Sequence, residues 1–183
     1  MQINCLSKES LEGSLNILNA QFGDNYITIE QLQSYQNNPN AVCLICVNEG
    51  EVLGVSIALI DSLENTSKQL LVGQDWFQSE FKESSRIALR KHMAVKPGFE
   101  GQGIGSHLVK ESVRRLKALS DVIVTIVWKE GDGEVMNRLM MKNDFQSIRT
   151  IPDYWKQDSI THQYVCPECK VIPCTCSAVI YAL

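Results

Sequence analysis

No apolar stretch in this chain approaches the ~20 residues that a membrane-spanning helix needs; even the run over residues 122–128 falls well short. No membrane span is therefore expected. The opening residues, MQINCLSKES, lack the basic region and apolar stretch of a secretory signal, so a cytoplasmic location is expected. Basic residues never gather into a long run, and 17 of them face 21 acidic ones for a net charge of −4. That balance leaves no electrostatic footprint for a polyanion, and no nucleic-acid partner is expected. Internal repeats and low-complexity tracts are also lacking. What remains is an ordinary globular composition, 183 residues with 44% hydrophobic and 21% charged. The length predicts one domain, residues 1–183, with room for a sizeable core.

Residues 3–6 read as a short opening strand, with Ser7 as a helix cap after it. Leu11, Leu15, Leu18 and Phe22 recur at helical spacing, predicting an amphipathic helix over about residues 8–23 that ends near Gly23. Thr28 and Gln31 form a capping-box pattern ahead of Leu32 and Tyr35, and this second short helix should stop before Pro39. Residues 41–47 and 51–60 are strand-like runs around Asn48-Glu49-Gly50, hence an antiparallel hairpin. Residues 61–86 are polar and aperiodic yet hold Trp76, Phe77 and Phe81, which reads as a long loop or short helix over the sheet. A strand resumes over residues 87–95. Ile104, Leu108, Val113, Leu116 and Leu119 then mark a long helix, with Lys110, Arg114, Arg115 and Lys117 as its solvated face. The β-branched run over residues 122–127 reads as a strand buried on both faces. A helix over residues 134–143 and strands over 145–151 and 177–183 complete an α/β chain of the α+β type, a mixed sheet with helices on both sides.

The most specific segment is Val95-Lys96-Pro97-Gly98-Phe99-Glu100-Gly101-Gln102-Gly103-Ile104-Gly105-Ser106-His107-Leu108. Glycines at alternate positions between a strand and a helix let successive backbone N–H groups converge on one point. That geometry binds a phosphate, helped by the positive end of the helix. A purely structural tight turn uses the same residues, so the flanks decide. A dinucleotide fold places its glycine turn after the first strand, with an acidic partner after the next. Here the turn lies past mid-chain.

A strand ending Ala94-Val95-x-Pro97, then Gly101-x-Gly103-Ile104-Gly105-x-x-Leu108, resembles the acetyl-coenzyme A signature of the GNAT superfamily of N-acetyltransferases. The resemblance covers about residues 1–155. It implies a mixed, mostly antiparallel central sheet with helices on both faces, acetyl-CoA as co-substrate, and direct attack of a primary amine on the thioester in a ternary complex. It also implies that the loop of Glu100, Gly101, Gln102, Gly103, Ile104, Gly105 and Ser106 borders the coenzyme's pyrophosphate. The pantetheine arm would run beside Met93 and Val95, with the Val95 N–H as oxyanion donor to the thioester carbonyl.

Two positions depart from the family pattern. Glu100 stands where Gln or Arg usually opens the loop, and a carboxylate within ~4 Å of a phosphate costs about 1 kcal/mol even in bulk-like solvent. Weak coenzyme affinity is expected unless that side chain turns outward. Met140 stands where a tyrosine often protonates the departing thiolate, and Asp144 replaces a glycine before Phe145. Tyr154 is the remaining candidate acid, the alternative being an aromatic packed in the core. An amine of pKa ~10.4 must lose a proton before it attacks. His92, on the strand leading to Val95, has a reference pKa of ~6.5 suited to a base; a histidine packed in the sheet with one hydrogen bond is the alternative. Glu49, Glu51 and Glu83 would act only through water, and His107 would face solvent or the coenzyme's ribose side.

The seven cysteines divide unevenly. Cys5, Cys43 and Cys46 read as core residues; Cys43 and Cys46, three apart on a strand, point to opposite faces and cannot share a ligand. Cys166, Cys169, Cys174 and Cys176 form C-x2-C-x4-C-x-C in a cysteine-rich extension, residues 160–183. Four thiols this close suit a structural zinc ion, with disulfides, free thiols or another metal cluster as alternatives. His162 is a reserve ligand. Taken together, the expectation is an N-acetyltransferase, monomer or homodimer, using acetyl-CoA and an unidentified small-molecule or protein amine. The competing expectation is a catalytically impaired module that binds acyl-CoA, or a protein through its tail.

Overall fold

The computed structural model describes residues 1–24, 26–129 and 134–183. Its strands are β1 (Gln2–Cys5), β2 (Ala41–Asn48), β3 (Glu51–Ser62), β4 (Arg86–Val95), β5 (Val122–Trp128), β6 (Gln146–Ile151) and β7 (Ala178–Ala182), in the sheet order β1-β2-β3-β4-β5-β7-β6. The pairs β1–β2, β2–β3, β5–β7 and β6–β7 are antiparallel. The helices are α1 (Leu11–Phe22), α2 (Ile29–Gln36), α3 (Leu63–Ser67), α4 (Gln74–Glu80), α5 (Ile104–Leu116), α6 (Glu134–Met141) and α7 (Lys156–His162). This is the mixed, mostly antiparallel α/β fold expected. Among the described residues no helix is long and apolar enough to cross a membrane. The chain divides into two compact units, residues 1–59 with 90–118, and residues 60–89 with 119–183.

In the first unit a 3-10 turn, Lys8–Ser10, leads into α1, and the Ser7 N–H donates to Ser10 Oγ at 2.9 Å. The Thr28–Gln31 capping box forms as its spacing predicts: the Thr28 N–H donates to Gln31 Oε1 at 2.9 Å and the Gln31 N–H to Thr28 Oγ1 at 3.3 Å. The apolar faces of α1 and α2 bury Leu11, Ile17, Leu18 and Leu32 against Leu6, Ile45, Val55 and Ile57. Between β2 and β3, Glu49 (φ +50°) and Gly50 (φ +82°) supply the two positive angles that a tight type I′ hairpin needs. Behind the hairpin, the absent side chain of Gly54 admits α5: a Cβ there would lie 2.8 Å from Ile104 Cγ2 and 2.9 Å from Leu108 Cδ1.

The second unit packs Leu70, Phe77 and Phe81 over Ile87, Leu89, Val124 and Ile180. Of the aromatics in the polar stretch, Phe77 and Phe81 are thus core residues and Trp76 packs half-buried against them, and two short helices, α3 and α4, occupy that stretch rather than one. Helix α7 has no sequence-predicted counterpart.

One expectation about the cysteines is corrected. Cys5 is exposed, because β1 is the edge strand of the sheet; its Sγ lies 3.1 Å from Arg115 Nη1. Cys43 is half-buried and Cys46 buried, in keeping with their place on β2. Burial pushes the Cys43 thiol up to about 12, reinforced by the nearby Cys5, so it is inert at neutral pH.

Candidate functional site

The end of β4 turns directly into the glycine loop. The Lys96 N–H donates to the Leu53 carbonyl at 2.9 Å, the Phe99 N–H to the Lys96 carbonyl at 3.0 Å, and the chain then reverses at Gly98 (φ +85°), Gly101 (φ +75°) and Gly103 (φ +83°). Among the described residues, a Cβ built on any of these three glycines meets nothing within 4 Å, so the space over the loop is open. Gly103 is the N-cap of α5, makes no side-chain cap hydrogen bond, and no acidic residue stands in the helix's first turn. The first N–H groups of the helix therefore lack a side-chain acceptor at its positive end, which is a ready anion site. Ile104 is buried and anchors the turn, whereas Gly101, Gln102, Gly103 and Ser106 are exposed and Gly105 is partly so. His107 is exposed on the next position.

Glu100 does not occupy this cradle. Its Oε2 accepts the Gly98 N–H at 2.7 Å and its Oε1 accepts Gln21 Nε2 at 3.1 Å. The carboxyl is held below the usual carboxylate range chiefly by its own amide, which with the Gly98 amide, Gln21 and the Phe99 amide outweighs the opposing effect of burial. These partners lie at the loop's entry or on α1, apart from the amides of residues 102–106. The expected repulsion of a phosphate is thereby reduced. Gln21 Nε2 also donates to the Val95 carbonyl at 2.9 Å, so one α1 side chain holds both the strand end and the loop entry. Nothing in the sequence singles out Gln21, because its partners lie 74 and 79 residues away.

His92 lies on β4 and is 9% exposed. Its Nδ1 is 3.1 Å from the Tyr26 hydroxyl, and its ring meets Tyr26 edge-on at 5.5 Å and Tyr35 at 5.7 Å. Burial, aided by the charge of Lys91, lowers the imidazole pKa to about 3. Its surroundings disfavour the imidazolium, so the ring is neutral and an added proton is held weakly. Its folded-state pKa lies below the unfolded value, so its contribution to stability is intact above ~6.5 and falls as pH drops toward 3, by about 1.4 kcal/mol per unit. Urea unfolding should show His92→Gln losing about 1–2 kcal/mol less than wild type between pH 6.5 and 5. Identical pH slopes for the two proteins would contradict a buried neutral His92.

The other candidates occupy varied surroundings. Val95 ends β4, half-buried; Met93 is half-buried with its Sδ 3.3 Å from Arg90 Nη2. Glu51 is ion-paired with Lys96. Glu49 and Glu83 are exposed. Tyr154 is 3% exposed and packs on Trp155, and its hydroxyl accepts the Leu71 N–H at 3.2 Å. Burial raises this phenol to about 12 despite the Leu71 bond, so it takes the place of a core aromatic. Met140 is 0% exposed, an apolar core residue at the position where the family pattern often has a tyrosine.

The four C-terminal cysteines converge. Their sulfurs all lie within 4.8 Å of one another, with Cys166–Cys176 and Cys169–Cys174 each at 3.7 Å. Cys166, Cys174 and Cys176 are buried, and Trp128 and Trp155 pack against the group. Burial disfavours a Cys169 thiolate, but backbone hydrogen bonding at Thr175 and Val171 and the neighbouring Cys174 and Cys166 thiols outweigh it and bring this sulfur to about 6. His162 is not in the cluster; its Nδ1 is 3.0 Å from Asp158 Oδ1. Trp128 also lines a cleft of about 160 Å³ with Asn137, Ser147, Thr150 and Tyr181, in which the Tyr181 hydroxyl donates to Asn137 Oδ1 at 3.1 Å.

Residues 12–134 match the model of the acetyltransferase (GNAT) family. No curated protein matches the sequence significantly. Among solved structures, the ribosomal-protein-S18-alanine N-acetyltransferase of Escherichia coli superposes with a TM-score of 0.66 at 15% identity, over 100% of this chain and 92% of that one. An N-acetyltransferase from Staphylococcus aureus Mu50 gives 0.65 at 18% identity, over 100% and 96%. NAA60 of Arabidopsis thaliana, solved with a bisubstrate analogue, gives 0.68 at 13% identity, over 100% and 96%. At these identities the likeness is one of fold.

Proposed function

The chain belongs to the acetyltransferase (GNAT) family, and on that premise we propose that it transfers the acetyl group of acetyl-CoA to a primary amine by direct attack. The observation that carries this reading is the uncapped start of α5 behind an open glycine loop, which presents backbone N–H groups to an anion. Gln102 to Ser106 are the residues assigned to the pyrophosphate, and the Val95 N–H is assigned to the thioester carbonyl. In the transfer the amine nitrogen forms a bond to the acetyl carbon, the carbon–sulfur bond breaks, and the thiolate of CoA leaves. The amine's proton passes to water, because His92 at a pKa of about 3 binds a proton too weakly to collect it. His92 is instead a positioning residue for Tyr26, the exposed aromatic to which it is hydrogen-bonded. Zinc held by the four cysteines has a structural role in this scheme, since four sulfurs leave no open position for substrate.

The acceptor is a small-molecule or protein amine. The Escherichia coli neighbour is named for an alanine of a ribosomal protein, which supports including protein amino groups in the panel. A binding module without turnover is the second reading, favoured by Met140 in place of a candidate acid. An assay of free CoA release against peptides and small amines separates the two. Acceptor-dependent release is expected; acetyl-CoA binding with no release from any acceptor would leave the module.

Gln21→Ala tests the loop's support. Losing a bond to a carboxylate and another to a carbonyl, both partly solvated, is worth about 1 kcal/mol, so KM for acetyl-CoA should rise about fivefold with kcat within twofold. An unchanged KM would detach Gln21 from the coenzyme site.

A further inference from the structure

We propose that Cys166, Cys169, Cys174 and Cys176 hold one zinc ion as a closed tetrathiolate that fastens the start of β7. In a tetrahedral site with Zn–S of ~2.3 Å, sulfur atoms are separated by about 3.8 Å. Cys166–Cys176 and Cys169–Cys174, two opposite edges of that tetrahedron, stand at 3.7 Å, and no pair among the four exceeds 4.8 Å. An ion at the centre needs only a contraction of the longer edges. A disulfide would bring a pair to ~2.05 Å, whereas all four thiols are free.

The backbone is arranged for sulfur ligands. At the first turn, Lys170 takes φ +57° and its N–H donates to the Cys166 carbonyl at 2.9 Å, folding Cys169 back toward Cys166. The Cys176 N–H donates to Cys174 Sγ at 3.4 Å. Amide donors of this kind stabilise metal-bound thiolate and orient it. Ion binding exchanges the thiol protons for metal–sulfur bonds and releases them to water. Soft sulfur donors in a tetrahedral set select zinc over harder cations, and the packed Trp128 and Trp155 keep water away.

The site's place in the fold gives it a task. The Cys174 N–H donates to Ser159 Oγ of α7 at 2.8 Å, and the Cys176 carbonyl accepts the Tyr154 N–H at 3.2 Å. Two residues later Ala178 pairs with Trp128 of β5 on one side and Ile151 of β6 on the other. The ion therefore ties α7 and the segment after β6 to the first residue of the strand that joins β5 and β6. Trp128, which touches the cysteines, also lines the cleft with Asn137 and Tyr181. Loss of metal should loosen β7 and that cleft together.

The test uses the full chain and no acetyl-transfer readout. Metal analysis of purified protein should give one zinc per chain, and cobalt(II) exchanged into the chelated protein should show the visible bands of a tetrahedral tetrathiolate. Hydrogen exchange after chelation should accelerate in β7 and α7 while β1 and β2 keep their protection; Cys169→Ser, which changes the least buried ligand, should bind zinc at least tenfold more weakly. Metal-free protein that ignores added zinc, two disulfides found by non-reducing mass spectrometry, or stoichiometric iron would each overturn the assignment. Unchanged exchange in β7 of a zinc-depleted protein would overturn the role.

Discussion

Gly103→Val should raise the Kd for acetyl-CoA at least about 100-fold, a loss of about 2.7 kcal/mol of coenzyme binding. Two effects combine. Gly103 has φ +83°, where a side chain costs about 1–2 kcal/mol and a β-branched one more. The new side chain also enters the open space beside the first N–H groups of α5, where the pyrophosphate is assigned. Because a Cβ at Gly103 meets nothing within 4 Å among the described residues, no core clash accompanies the substitution, and the variant should retain its circular dichroism and most of its thermal stability. A thermal-shift titration with acetyl-CoA measures the effect. A folded Gly103→Val protein that binds the coenzyme as wild type does would remove the cradle from the mechanism. Gly103→Ala should fall between the two, since it adds strain with less bulk.

The parts of this site that could be read from sequence are those built from neighbours along the chain. The β4–loop–α5 unit is written in consecutive residues: Gly98, Gly101 and Gly103 take positive φ where the chain turns, and Gly105 lies in the first turn of α5. The cysteine pattern likewise compresses four thiols into one turn and one short return. Features set by distant partners were hidden. Gln21 looks like a polar residue near a helix end until the fold brings Val95 and Glu100 to its amide. His92 carries an ordinary reference pKa until burial beside Tyr26 and Tyr35 removes its water. Cys5 fits a core pattern until β1 proves to be an edge strand. Helix α7 gives no apolar stripe, because a seven-residue helix needs only one anchored turn, here the buried Ser159 that meets the Cys174 N–H.

Gly54→Val joins fold and site in one substitution. In wild type the backbone of β3 and the first turns of α5 approach so closely that a Cβ at Gly54 would lie 2.8 Å from Ile104 Cγ2, 2.9 Å from Leu108 Cδ1 and 3.2 Å from the Ala94 carbonyl. Ile104 and Leu108 are fully buried and cannot swing to solvent, so the helix must withdraw from the sheet. Overpacking of this kind costs about 3 kcal/mol, about 6–12 °C in Tm for a chain this long. Ile104 is also the first residue of α5, so the withdrawal moves the N–H groups assigned to the coenzyme. The milder Gly54→Ala should therefore lower Tm and raise KM for acetyl-CoA together. Leu108→Val, which removes the crowding δ carbon, should destabilise wild type yet cost less in the Gly54→Ala background, a favourable coupling that a double-mutant cycle reads. Strict additivity would mean that Gly54 and α5 do not share this contact; coupling in stability with no change in KM would separate the seating of α5 from the binding of the coenzyme.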